Sequence, residues 1–110
     1  MIARIWRGIT LTSKADEYLQ YLHQNIIPCF EAADGNLGML VLRDFQDNLA
    51  YFLLLSFWSS CEALEKFTYP DLNVAKQAPE EKELLIAYES IATHYEVVSG
   101  MNERGIVERS

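Results

Sequence analysis

The chain has 110 residues, half of them apolar, and a formal charge of −7 from 16 acidic against 9 basic residues. That length suits one domain with one core, and the composition excludes a disordered or fibrous chain. An acidic surface repels phosphate backbones and anionic headgroups, and no apolar run approaches the roughly 20 residues that span a bilayer, so neither a nucleic-acid nor a membrane partner is expected.

Met1-Ile2-Ala3-Arg4 lacks the apolar core of a signal peptide, which predicts a cytoplasmic protein. Cys29 and Cys61 lie far apart with no CxxC pair and no histidine nearby, so zinc spacing is missing and both read as buried free thiols.

Ile2 to Ile9 is rich in β-branched and aromatic residues and predicts a first strand. Ser13 with Asp16 has the form of a capping box, and Ala15, Tyr18, Leu19, Leu22 and Ile26 fall on one helical face. Pro28 is expected to stop that helix, with Asp34-Gly35-Asn36 supplying the turn. Leu37 to Phe45 and Ala50 to Trp58 then read as an antiparallel hairpin around Gln46-Asp47-Asn48-Leu49. Ser59 with Glu62 predicts a second cap, opening a helix through Phe67 that Pro70 ends, and Asp71 to Ala78 can add a helical turn. Pro79 suits the first turn of a helix over Glu80 to Ile86, whose acidic run is a solvated helix start, and Tyr88 to Val98 alternates like a final strand.

The order β-α-β-β-α-β is that of the ferredoxin-like α+β fold, a four-stranded antiparallel sheet with its helices on one face. The expected domain is 1–98, followed by a polar tail over 99–110 with little to hold it, expected to be flexible or to lie along the partner. The third strand, Tyr51 to Trp58, is apolar at both parities, whereas a sheet with one wet face should alternate. A second copy covering the bare face is the simplest solution, which predicts a homodimer of barrel or sandwich form.

Nucleophile elbows, phosphate-cradling glycine loops and metal-ligand clusters are absent from the sequence. What remains is a set of polar or redox-capable side chains on apolar strands: Arg4, Trp6 and Arg7, then Trp58, then His94. The Trp6-Arg7-Gly8 strand end, the Leu54-Leu55-Ser56-Phe57-Trp58 strand with its Ser59-Ser60-Cys61-Glu62-Ala63 helix start, and the closing Thr93-His94-Tyr95-Glu96-Val97 resemble the antibiotic-biosynthesis-monooxygenase family. The resemblance implies a dimeric α+β barrel with a pocket between helices and sheet in each subunit. It also implies either cofactor-free oxygenation of phenolic or quinol-like molecules or degradation of haem.

Trp58 stands where the resemblance places a pocket tryptophan, and by the period of a strand it shares a face with Phe52, Leu54 and Ser56, the expected substrate-binding residues. Arg7 occupies the position of the strand-one asparagine of the haem-degrading branch, and Asp71 to Ala78, where that branch has its axial histidine, contains none. The preferred reading is therefore cofactor-independent, with no metal or organic cofactor: His94 as the base that takes a phenolic proton, Arg7 as holder of the resulting anion, and Trp58 in the pocket wall. Each residue also has a structural reading. Trp58 can be a core aromatic, His94 a hydrogen-bonded structural histidine, Arg7 a surface partner of Glu17, and His23 a surface residue. A non-catalytic small-molecule-binding or structural homodimer is the alternative function, and a haem degrader the third.

Overall fold

The computed structural model describes residues 1–68 and 78–100. The expected helical turn over 71–78, the stop at Pro70 and most of the tail lie outside these residues.

The first strand, β1 (Ile2–Leu11), is the centre of the sheet. A single 3-10 turn, Thr12–Lys14, leads into α1 (Ala15–Tyr21). Ser13 makes no side-chain cap there, so the expected capping box does not form, and Asp16 and Glu17 favour the helix start through its dipole. The helix also does not end at Pro28. A π turn over Leu22–Ile26 widens it just upstream, and Pro28 falls in the first turn of α2 (Ile27–Ala32), where a missing N–H costs no helical hydrogen bond.

Gly35, at φ +83°, turns the chain into β2 (Asn36–Gln46), and any side chain at this glycine would collide with Ala63. Asp47, at φ 56°, makes the hairpin to β3 (Leu49–Trp58). The next helix, α3 (Cys61–Thr68), is capped by Ser60 instead of Ser59: its hydroxyl accepts the Ala63 N–H at 3.1 Å. Pro79 opens α4 (Pro79–Leu84) as its pattern predicts. The last strand is two short pieces, β4 (Leu85–Tyr88) and β5 (Thr93–Glu96), where one continuous strand is expected.

The sheet runs β2-β3-β1-β4, with β5 pairing the other end of β1, and all pairings are antiparallel. This is an α+β ferredoxin-like order whose edge strand is broken in the middle. Glu89 explains the break. Its N–H donates to the Arg7 carbonyl at 3.0 Å, its carbonyl accepts the Trp6 indole N–H at 2.8 Å, and its carboxylate accepts the Arg7 N–H at 2.9 Å. One residue thus takes over the ladder bonding at the break and anchors Trp6, whose ring lies so close to Gly8 that no Cβ fits there.

The register sorts side chains by face. Trp6 opposes Leu54, Gly8 opposes Phe52 and Thr10 opposes Ala50, and these even-numbered positions point at the helices. Under them lie Tyr18 and Leu22, with the Tyr18 ring edge-on to Phe52 at 4.9 Å. A second cluster joins Trp58, Phe30 and Leu64. The odd positions, Ile5, Ile9, Tyr51, Leu53 and Leu55, form the opposite face with Leu40 and Leu42, which are 40% and 47% exposed. Cys29 and Cys61 are free but exposed, a correction to their expected burial: both sit on outward faces of helices, with their thiols bonded to Asn25 O and Glu65 Oε1.

One buried polar pair ties α4 to α1. The Tyr18 hydroxyl donates to Glu81 Oε2 at 2.8 Å, and burial pushes the Glu81 carboxyl above the usual carboxylate range, partly offset by that bond. A carboxyl whose folded value is raised penalises the fold as pH climbs from the unfolded value through the folded one. Glu81→Gln should therefore unfold at the same or higher temperature than the parent at pH 8 and show less stability loss between pH 4 and 8. Tyr18→Phe, which leaves the buried carboxyl unpaired, should cost about 1–3 kcal/mol in urea unfolding.

Candidate functional site

The helix-facing side of the sheet has two unlike ends. Toward α4 its polar groups are paired, as Tyr18 and Glu81 show. Toward the Trp58 end several are not.

Trp58 is fully buried beside Phe30 and Phe67, at ring-centroid distances of 6.0 and 4.8 Å. Its indole N–H donates to Ser56 Oγ at 3.0 Å. Ser56 sits opposite Arg4 on β1, and Arg4 sits opposite His94 on β5, so the three share one cross-strand row on the helix face. Directly opposed residues of antiparallel strands hold their Cβ atoms about 4.5–5.5 Å apart. The neighbouring row carries Ile2 and Trp58 and ends at Asn36.

The buried side-chain nitrogen and oxygen atoms that have no hydrogen-bond partner among the described residues are Arg4 Nε, Asn36 Nδ2 and His94 Nε2. All of them lie in these two rows. Two are obligate donors, and the histidine nitrogen can donate or accept according to tautomer. Arg4 is 9% exposed, and burial lowers its affinity for the proton with no carboxylate among the described residues to offset the effect. His94 is held below its usual range, first by burial and then by the Arg4 cation, which keeps the imidazole neutral near pH 7. Unpaired buried donors are uncommon because each costs about 1–3 kcal/mol, and their concentration here distinguishes this end of the face from the rest of the core.

The residues singled out from sequence divide between two sides. Trp58, Ser56, Leu54, Phe52 and His94 share the helix face. Phe52 and Leu54 are core residues beneath α1, while Ser56, Trp58 and His94 cluster with Arg4. Arg7 is not among them: opposite Leu53, it projects from the other face, half exposed, with Nη1 3.3 Å from Glu89 Oε2 in place of the expected Glu17. There it lines a groove of about 500 Å³ with Ile9, Leu42, Tyr51 and Leu53. Trp6, of opposite parity to Arg7, does face the helices. His23 is exposed on its helix. Arg4 was visible in the sequence only as a charge on an apolar strand; its shared parity with Trp6 was the signal for its face, and its lack of a partner needed the structure.

Among the described residues, no group of three or more His, Cys, Asp or Glu side chains could hold a metal ion, and no helix is long and apolar enough to cross a membrane. If Trp58 is a keystone of its cluster, Trp58→Ala should lose about 3–5 kcal/mol of stability in urea unfolding, whereas Trp58→Phe, which keeps the ring packing and drops only the bond to Ser56, should lose much less.

No family model matches the sequence, and neither does any curated protein sequence. Solved structures do match. A Bacillus cereus protein assigned to the antibiotic biosynthesis monooxygenases superposes with a TM-score of 0.68 at 13% identity, covering 94% of this chain and 97% of that one. The haem-degrader MhuD of Mycobacterium tuberculosis, solved with two haems in its active site, gives 0.57 at 18% identity over 93% and 100%. SnoaB of Streptomyces nogalater, a cofactor-independent oxygenase, gives 0.55 at 11% identity over 93% and 98%. At these identities the likeness is one of fold, and it extends over nearly the whole of each chain. The chain has the α+β fold of the antibiotic biosynthesis monooxygenases.

Proposed function

We propose that this protein is a cofactor-independent monooxygenase of phenolic aromatic small molecules, working as a homodimer, with its substrate on the helix side of the sheet at the Trp58 end. The observation that carries this reading is the gathering of unpartnered donors around Ser56 and Trp58 in otherwise apolar surroundings. The resemblance of the fold to SnoaB supports the reaction class.

In such a reaction the substrate supplies the electrons. A phenol gives up its O–H and one ring C–H; one oxygen atom of O2 becomes the new carbonyl of a quinone, and the other leaves as water. The protein's share is to take the phenolic proton, stabilise the anion and keep bulk water out. His94 is the base: its neutral imidazole has a free buried nitrogen on the correct face. Trp58 and Ser56 form the wall beside it. Phe52 and Leu54 back that wall from the core. Arg7 lies across the sheet from this site, so the anion needs another partner.

Haem does not suit the described residues. The rings of Phe30 and Phe67 pack against Trp58 at 6.0 and 4.8 Å, and the one described histidine beside it, His94, stands next to a cation that disfavours further positive charge. The dimer reading rests on the uncovered face, where Ile5, Ile9, Leu40, Leu42, Tyr51, Leu53 and Leu55 form one apolar surface larger than scattered exposure explains. The alternative, a binding or structural dimer without catalysis, shares this surface and differs only in turnover.

Oxygen uptake by the purified, metal-free protein against dihydroxynaphthalenes, anthrones and catechols tests the reaction. Uptake should depend on one substrate class and fall about 10²–10⁴-fold in His94→Ala. No uptake with any of them would move the reading to the non-catalytic dimer. In light scattering the parent should run at twice the chain mass at micromolar concentration, and Leu42→Glu should run as a monomer; a monomeric parent would show that the apolar face is covered some other way.

A further inference from the structure

We propose that Arg4, His94 and Ser56 form an anion-binding subsite and that the molecule it takes is an aromatic acid with a hydroxyl beside its carboxylate. The anion part stands on Arg4 itself; the aromatic part rests on the function proposed above.

Arg4 carries a permanent positive charge, is 9% exposed, and makes no ion pair or hydrogen bond to any described residue. Buried charges are ordinarily paired, because an isolated ion loses its hydration without compensation. The other arginines described here follow that rule even at the surface: Arg7 pairs with Glu89 at 3.3 Å and Arg43 with Asp16 at 3.1 Å. A cation largely withdrawn from water, with its Nε buried and no counter-ion among the described residues, is matched by an anion that comes from outside, and the planar guanidinium suits a carboxylate.

The row around Arg4 defines the rest of the ligand. Ser56 accepts the Trp58 indole N–H, so its own hydroxyl proton is available to an acceptor. His94, directly across from Arg4, has a free buried nitrogen. The spacing of opposed side chains, about 4.5–5.5 Å between Cβ atoms, places Arg4 and His94 within reach of two neighbouring substituents on one ring. A carboxylate on Arg4 sets the adjacent phenol at His94, and its negative charge offsets the Arg4 field that adds to burial in holding the imidazole below its usual range, which makes His94 a better base when the correct ligand is bound.

Calorimetric titration of the full-length protein without oxygen provides the test, with 1-hydroxy-2-naphthoate and 1-naphthol as probes. The naphthoate should bind at least ten-fold tighter than the naphthol. Arg4→Met should lose at least ten-fold in naphthoate affinity and at least five-fold less than that in naphthol affinity, and Arg4→Lys should recover part of the naphthoate loss. Removing an unpaired buried cation should also leave Arg4→Met melting at or above the parent temperature, and should it fail to fold, the Arg4→Lys titration decides alone, with unchanged naphthoate affinity counting against the proposal. Equal affinity for the two probes, no binding of either, naphthoate affinity unaffected in Arg4→Met, or displacement of the naphthoate by inorganic phosphate at equal concentration would each overturn it. Binding is read without turnover, so absent oxygen uptake with intact naphthoate binding refutes the oxygenase and leaves the subsite standing.

Discussion

The structure depends on β3 being apolar on both faces. Tyr51 to Trp58 pairs along nearly its whole length with β1 on one side and β2 on the other, so each of its side chains must be covered from above or below. The helices cover one set, where Phe52 meets Tyr18 and Trp58 meets Phe30 and Phe67. The other set, Tyr51, Leu53 and Leu55 with Leu40 and Leu42 from β2, stays partly exposed, while Phe57 at the strand end is buried. The separation of the candidate site from the open face follows from that division. Residues of even parity on β1 and β3 face the helices and include the candidate site; of the residues of odd parity, Ile5, Ile9, Tyr51, Leu53 and Leu55 lie on the partly exposed face.

Much of this was legible beforehand because strand pattern and turn chemistry are local. The three long strands, the hairpin at Asp47 and the turn at Gly35 need only period-2 alternation and residues that tolerate positive φ. Parity also separated Trp6 from Arg7 and grouped Phe52, Leu54, Ser56 and Trp58. What local pattern could not carry was competition between bonding partners. Pro28 reads as a stop, but a π turn upstream moves it to a helix start. Ser59 and Ser60 offer equivalent hydroxyls, but Ser59 is tied by its N–H to the Gly35 carbonyl and Ser60 takes the cap. The break in the last strand arises because Glu89 serves Arg7 and Trp6 across 82 and 83 residues of sequence. Arg7 was assigned by its place along the strand, and the register puts it on the other side of the sheet from Trp58.

The two ends of the helix face show how one core holds structural and candidate functional polarity side by side. Tyr18 and Glu81 are buried together and satisfy each other, so they lock α1 to α4. Arg4 Nε, Asn36 Nδ2 and His94 Nε2 are buried without a partner among the described residues. Both arrangements cost desolvation, but only the first recovers it inside the protein. The second does not recover it among the described residues, which is the condition a binding site meets. A dry, donor-lined wall beside a neutral imidazole is also what a phenol needs in order to lose its proton and pass electrons to oxygen without a cofactor.

The face on which a ligand sits is the central claim, and the chain is small enough to read it directly by ¹H–¹⁵N NMR during titration with 1-hydroxy-2-naphthoate. Trp6 and Trp58 provide separate indole signals, and Arg4 and Arg7 separate Nε–H signals, one of each pair toward the Ser56 row and one away from it. The account predicts that the Trp58 indole and Arg4 Nε–H signals shift together with the Ser56 amide, while Arg7, Leu42 and Tyr51 stay in place. Shifts at Arg7, Leu42 and Tyr51 with Arg4 and Trp58 unmoved would put the ligand in the groove of the open face and contradict it.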